Sequence, residues 1–107
     1  MFLISGPCVL ESDDICLRIG RHLRRVWSDL GLLYVFKASY DKANRSSGKS
    51  YRGPGLQEGL ARLAEIRRRL EVPVLTDVHS VEEAVAAADV CDVLQIPAFL
   101  CRQTDLI

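Results

Sequence analysis

No stretch of this sequence stays apolar for the roughly 20 residues that a membrane-spanning helix needs, so no helical passage through a bilayer is expected. The opening Met1-Phe2-Leu3-Ile4 is too short for the core of a secretory signal and has no basic residue ahead of it. A cytoplasmic location is therefore expected. Charge of neither sign is in surplus: Lys and Arg number 14, Asp and Glu number 14, and the formal net charge is +0. No global field draws such a chain to nucleic acid or to an anionic membrane. Any affinity for phosphate has to come from local clusters of cations. CxxC spacing is also lacking among the four cysteines, at 8, 16, 91 and 101. With core-like segments around them, that argues against a stapled mini-protein and points to reduced thiols at Cys16 and Cys91. What remains is 107 residues, 49% hydrophobic and 26% charged, the composition of an ordinary globular domain.

The chain has one rhythm: a short apolar run, a polar turn, then an amphipathic helix. Phe2-Leu3-Ile4-Ser5 is the first run, stopped by Gly6-Pro7. Ser12 is placed to cap a helix whose first turn carries Asp13 and Asp14, suited to the positive end of the helix dipole. Ile15, Ile19, Leu23, Val26, Trp27 and Leu30 recur at helical spacing, and Gly31 supplies a stop. Leu33 to Phe36 is nearly continuous in apolar residues, as expected of a strand buried on both faces. A second helix carries Leu56, Leu60, Leu63 and Leu70 on one side, with Arg67-Arg68-Arg69 read as a solvated helix end. Val72 to Thr76 is a third strand. Ser80 with Glu83 forms a capping box that opens a short third helix, and Val90 to Ile96 contains a fourth strand. The sequence ends where a fourth helix is expected to begin.

Strands alternating with helices imply a parallel sheet with right-handed crossovers. Four such units are about half of a (β/α)8 barrel of the usual size. A small flavodoxin-like open sheet is the alternative. It would gather polar residues at one switch point, whereas here every strand ends in them: Cys8 and Glu11, Lys37, Asp77 and His79, then Gln95 and Arg102. The expected fold is therefore α/β, the N-terminal half of a TIM barrel of about four βα units, with residues 1–107 as one partial barrel.

Between Lys37 and Gly55 the rhythm breaks into a long polar segment, and segments of that length in compact domains are usually functional. Lys37, Lys42, Arg45 and Arg102 at one rim would make an anion pocket, with Ser46 and Ser47 as hydroxyl donors and Asn44 suited to a sugar hydroxyl. The opposing reading is a solvated loop. Asp77 and His79 are expected to point to opposite faces of the third strand, one of them inward, where a carboxylate could hold a substrate hydroxyl or orient a base; an internal ion pair is the other possibility. Gln95, an amide in an apolar strand, must find partners, a ligand or its neighbours. Cys8 alone is no metal site, since a catalytic metal needs about three protein ligands, and a buried structural thiol is the plainer reading.

GPCVLES (6–12), FKASYDKANRSS (36–47), SYRGPGL (50–56), TDVH (76–79) and QIPAFLCRQTDL (95–106) together resemble the 3-deoxy-D-manno-octulosonate 8-phosphate synthase family. KANRSS and PAFLxRQTDL separate it from its heptulosonate-phosphate and sialic acid cousins. The resemblance implies a (β/α)8 barrel, usually a homotetramer, condensing phosphoenolpyruvate with D-arabinose 5-phosphate and water for lipopolysaccharide core synthesis. It implies phosphoenolpyruvate contacts for Lys37 and Lys42, sugar hydroxyl contacts for Asn44, and sugar phosphate contacts for Arg45 and Ser46. Arg102 would reach that phosphate from a neighbouring subunit. Asp77 would lie beside the reacting aldehyde, Gln95 near phosphoenolpyruvate and Phe99 in the pocket wall, with Lys42, Asn44 and Asp77 closest to the chemistry. Members with Cys at position 8 are metal-dependent, which makes Cys8 a divalent-metal ligand whose partners, a His, a Glu and an Asp, belong to later strands. Gly48-Lys49 departs from the more apolar pattern of the family. A non-catalytic partial chain and the two cousin chemistries are the competing readings.

Overall fold

In the computed structural model, residues 1–42 and 51–107 are described. Strand β1 (Phe2–Ser5) leads to helix α1 (Asp13–Asp29), then β2 (Leu33–Lys37), α2 (Leu56–Leu70), β3 (Val74–Asp77), α3 (Val81–Ala88), β4 (Val93–Gln95) and a 3-10 turn at Ala98–Leu100. The four strands form one parallel sheet in the order β1-β2-β3-β4. Alternating βα units in sequence order are the architecture of half a (β/α)8 barrel, as the sequence predicted. An open doubly wound sheet would instead reverse its strand order at a switch point.

Local chemistry accounts for the element ends. The Ser12 side chain accepts from the Ile15 amide at 3.2 Å, closing the start of α1. Gly31, at φ +69°, takes the left-handed turn that ends it. The third strand begins two residues later than the sequence suggested, because Pro73 has no amide to give the ladder.

Registered neighbours share a face, so Phe2, Ile4, Leu33, Val35, Lys37, Leu75, Asp77, Val93 and Gln95 lie on one side of the sheet. The other side carries Tyr34, Phe36 and Val74 into a core with Leu17, Leu63, Ile66 and Leu70 from the helices. The two faces differ at the starts of the strands. The helix-covered one is closed; on the other Val35 and Leu75 are buried, while Phe2 is 60% and Leu33 73% exposed at the strand starts. β2 is thus buried on both faces from Tyr34 to Phe36, as expected, and only its first residue, Leu33, departs from that, at the open start of the strand. Among the described residues, both edge strands, β1 and β4, have one unpaired side.

The arginine run resolves into ion pairs. Arg67 holds Asp92 through two bonds of 2.9 and 2.8 Å, and Arg68 holds Glu65 at 2.7 Å. Asp92 also accepts from the Val74 amide at 2.9 Å, tying the end of α2 to the start of β3. The Arg67 guanidinium holds the Asp92 carboxyl below its usual range, helped by the Val74 amide and opposed by partial burial. A carboxyl depressed in the folded state stabilises above its unfolded value and loses that contribution as pH falls through and below it. Asp92→Asn is therefore expected to lower stability at neutral pH and to flatten the loss below about pH 4. Urea midpoints measured from pH 7 to pH 3 check this, and parallel curves for the two proteins would refute it.

Candidate functional site

The rim at the C-terminal ends of the strands is built around a close approach between two backbones. A Cβ placed on Gly6 would lie 1.9 Å from the carbonyl oxygen of Lys37, so the turn after β1 can pass the end of β2 only as glycine. Beyond it the two chains stay paired. Val9 and Ser39 form a parallel bridge, the Ser39 amide donates to the Cys8 carbonyl at 3.2 Å, and the Leu10 amide donates to the Ser39 carbonyl at 2.9 Å. Residues 51–55 then double back: the Lys42 amide donates to the Arg52 carbonyl at 2.7 Å and the Gly55 amide to the Tyr40 carbonyl at 3.1 Å. Arg52 and Asp41 pair across this fold-back.

Ser39 is the hub of the site. It is fully buried, and its hydroxyl donates to Asp77 Oδ1 while accepting from Lys42 Nζ at 2.7 Å. One hydroxyl has one proton to give and lone pairs to receive, so this geometry fixes the order cation, hydroxyl, carboxylate. Asp77 is itself buried and is registered beside Gln95 on β4. Behind it, Thr76 turns to the helix face and donates to the Ala38 carbonyl at 2.9 Å, locking β3 against the segment after β2.

His79 lies with Nε2 3.3 Å from Asp77 Oδ2 and Nδ1 3.3 Å from Glu83 Oε2. The expectation that Asp77 and His79 face opposite ways is thereby corrected: residues two apart in extended chain share a side. Glu83 accepts from the Tyr40 hydroxyl at 2.8 Å and from the His79 amide at 2.7 Å. Burial and the neighbouring Glu83 carboxylate push the Tyr40 hydroxyl far above its ordinary range, so it remains a donor. Ser80 does cap α3, accepting from the Glu83 amide at 3.2 Å, but the Glu83 side chain reaches past Ser80 to His79.

Of the site residues expected from sequence, the described structure joins Lys42 to Asp77 and places Lys37 and Gln95 on the same sheet face. Gln95 is half-buried rather than enclosed, so an apolar flank on either side did not bury it. Phe99 is 57% exposed, and Arg102 is exposed, both on the segment after β4. Asn44, Arg45 and Ser46, like Ser47, Gly48 and Lys49, lie outside the described residues. Cys8 is exposed at the rim rather than buried, because Gly6-Pro7 carries the chain out over the strand ends. Cys16 is buried and Cys91 half-buried, both free thiols. Burial, with Asp92 beside it, pushes the Cys91 thiol up to about 11, the behaviour of an inert structural cysteine.

Ser39 and Tyr40 were not singled out from the sequence, and Glu83 was read there only as the partner of Ser80 in a capping box. Ser39 had one available signal, since it stands two residues after Lys37 and so shares its side of the extended chain. Glu83 was hidden by its simpler role at a helix start.

Residues 1–107 match the model of the DAHP synthetase I family. A protein of Dechloromonas aromatica called 2-dehydro-3-deoxyphosphooctonate aldolase is 61% identical over 106 residues, covering 99% of this chain and 38% of its own length. Proteins of the same name from Azoarcus sp. and Verminephrobacter eiseniae are 57% and 58% identical over 107 residues, each with 100% of this chain and 38% of their own length covered. The chain thus spans well under half the length of these relatives. No helix among the described residues is long and apolar enough to cross a membrane.

Proposed function

The chain belongs to the DAHP synthetase I family, and from that premise we propose that residues 1–107 form a partial (β/α)8 barrel supplying one side of a phosphosugar-condensing site. The reaction proposed joins phosphoenolpyruvate, D-arabinose 5-phosphate and water into 3-deoxy-D-manno-octulosonate 8-phosphate and inorganic phosphate, in the cytoplasm, toward lipopolysaccharide core. The relatives' shared name supports that branch over the heptulosonate and sialic acid ones. The single observation that carries the reading is the Lys42–Ser39–Asp77 link at the strand ends, where a cation and a carboxylate are held by one buried hydroxyl.

The chemistry asked of the site is positioning and charge stabilisation. The enol carbon of phosphoenolpyruvate bonds to the sugar aldehyde carbon, the aldehyde oxygen takes up a proton, water supplies an oxygen, and phosphate departs. Lys42, with three ammonium donors of which Ser39 takes one, would meet the anionic end of phosphoenolpyruvate together with Lys37. Gln95 would add an amide beside it. Asp77, whose Oδ1 is fixed by Ser39, would hold the aldehyde end of the sugar or its hydroxyls. Asn44, Arg45 and Ser46 would bind the sugar and its phosphate, Phe99 would line the pocket, and Arg102 would act across a subunit boundary in a homotetramer.

Cys8 is proposed as a ligand of a divalent metal. Its exposed thiol at the rim suits that role, but no group of three His, Cys, Asp or Glu capable of holding a metal occurs among the described residues. The remaining donors would have to come from elsewhere. Such an ion would polarise the aldehyde or activate water.

A hybrid protein tests the reading directly. Residues 1–107 replace the matching segment of the Dechloromonas aromatica relative, and phosphate release is followed with both substrates. Turnover that requires arabinose 5-phosphate is expected. Turnover with erythrose 4-phosphate in its place, or none with either sugar, would overturn the proposal.

A further inference from the structure

Opening α3 does not account for everything the Glu83 side chain does. Its Oε2 receives the Tyr40 hydroxyl at 2.8 Å and the His79 amide at 2.7 Å, and the same oxygen lies 3.3 Å from His79 Nδ1. That ring nitrogen is buried and has no aligned hydrogen-bond partner among the described residues, although a carboxylate stands within ion-pair reach. The opposite nitrogen, Nε2, is 3.3 Å from Asp77 Oδ2. The His79 and Tyr40 rings meet edge to face, at 6.4 Å between centroids and 80° between planes, a geometry aromatic pairs favour.

We infer that His79 is a positioning residue, gripped by Glu83 and Tyr40, that holds the Asp77 carboxylate in place at the rim. The inference rests on the reading of Asp77 as a substrate-facing group. Asp77 is then held from two sides: Ser39 fixes Oδ1 and His79 faces Oδ2. The groups facing His79 come from every neighbouring element: Asp77 from β3, Glu83 from α3 and Tyr40 from the segment after β2, while Lys42 reaches the same carboxylate through Ser39. An imidazole between two carboxylates can give a proton to either, so neutralising Glu83 alters what His79 offers Asp77 although Glu83 touches no substrate. A carboxylate oriented this way loses little freedom when it meets a sugar hydroxyl.

Glu83→Gln separates this role from a purely structural one. The glutamine carbonyl still accepts from Tyr40 and from the His79 amide, but the charge facing the ring is gone. In the 107-residue chain, with His22→Gln removing the second histidine, a His79 ring proton protected from solvent is expected as a resolved downfield resonance. It is expected to shift or broaden out in Glu83→Gln and in Asp77→Asn, and to persist in the surface variant Glu65→Gln. No protected resonance in the parent, or the same resonance in all variants, overturns the inference.

In the hybrid enzyme, Glu83→Gln and His79→Gln are each expected to lower kcat roughly 10-fold, with KM for the sugar changed less than about twofold. Combined, they are expected to do no more than His79→Gln alone, because groups acting in series are not additive. Multiplying effects would also overturn the inference. A hybrid without turnover defeats the proposed reaction, and the ring-proton measurement still decides the role of His79.

Discussion

Lys42→Met is expected to lower kcat of the hybrid enzyme by at least about 10²-fold, the scale seen when one charge-stabilising donor is removed from an active site. Met keeps the length and most of the volume of the side chain and removes only the ammonium. Ser39 then loses the donor at its oxygen but keeps its proton on Asp77, so the carboxylate remains held. Lys42 is half-buried, and the stability change is expected to stay within about 1 kcal/mol. Steady-state phosphate release with a parallel urea curve checks both halves. A tenfold loss or less with the fold intact would remove Lys42 from the charge-stabilising role. A collapse of stability would make it a structural cation instead.

Gly6→Ala should be the most destabilising single methyl that this fold can receive at the rim. The added carbon would sit 1.9 Å from the Lys37 carbonyl oxygen and 2.9 Å from its carbonyl carbon. Those are backbone atoms, so no rotamer change relieves the clash, and β1 must separate from β2 beyond Ser5. The bridge between Val9 and Ser39 would go with it, and with that bridge the placement of the Ser39 hydroxyl. A loss above about 3 kcal/mol is expected, at the upper end of overpacking effects. Gly31→Ala is the matched comparison: its Cβ meets nothing within 4 Å, but its φ is +69°. It is expected to cost only the strain of a left-handed residue, about 1 kcal/mol. Equal losses in the two variants, read from urea midpoints, would show that contact with Lys37 is not what matters.

The fold was legible in the sequence because its signals are local. Ser12 before two aspartates, Gly31 after an apolar stripe and Ser80 before α3 each name a boundary through their own chemistry, and the elements fall close to those boundaries. The exposure of the strand starts was not legible in the same way. Leu33 is as apolar as Val35 and shares its face, yet one is 73% exposed and the other buried, because burial depends on the position along the strand and not on the residue alone. At the site, Lys37, Lys42, Asp77 and Gln95 announced themselves as polar residues at strand ends. Ser39 did not, since a serine in a polar segment is unremarkable until a carboxylate from a strand 38 residues away is seen to share its hydroxyl. Asp77 and His79 were assigned to opposite faces although i and i+2 lie on the same one. The structure corrects this and, in doing so, brings Glu83 into the site.

The strand order has a consequence for how such a chain acquires its shape. Because β1-β2-β3-β4 follows the sequence, each of β2, β3 and β4 docks on the strand made just before it. Each pairing nevertheless waits for the crossover between the two strands, and parallel pairing across such crossovers is slow. The rim is still available to assemble vectorially, from the amino terminus onward, as a chain leaves the ribosome. During that interval Phe2, Ile4 and Leu33 are presented to solvent beside the unpaired side of β1, the combination from which strand-to-strand aggregation begins. The order of assembly and its hazard thus arise from the same topology.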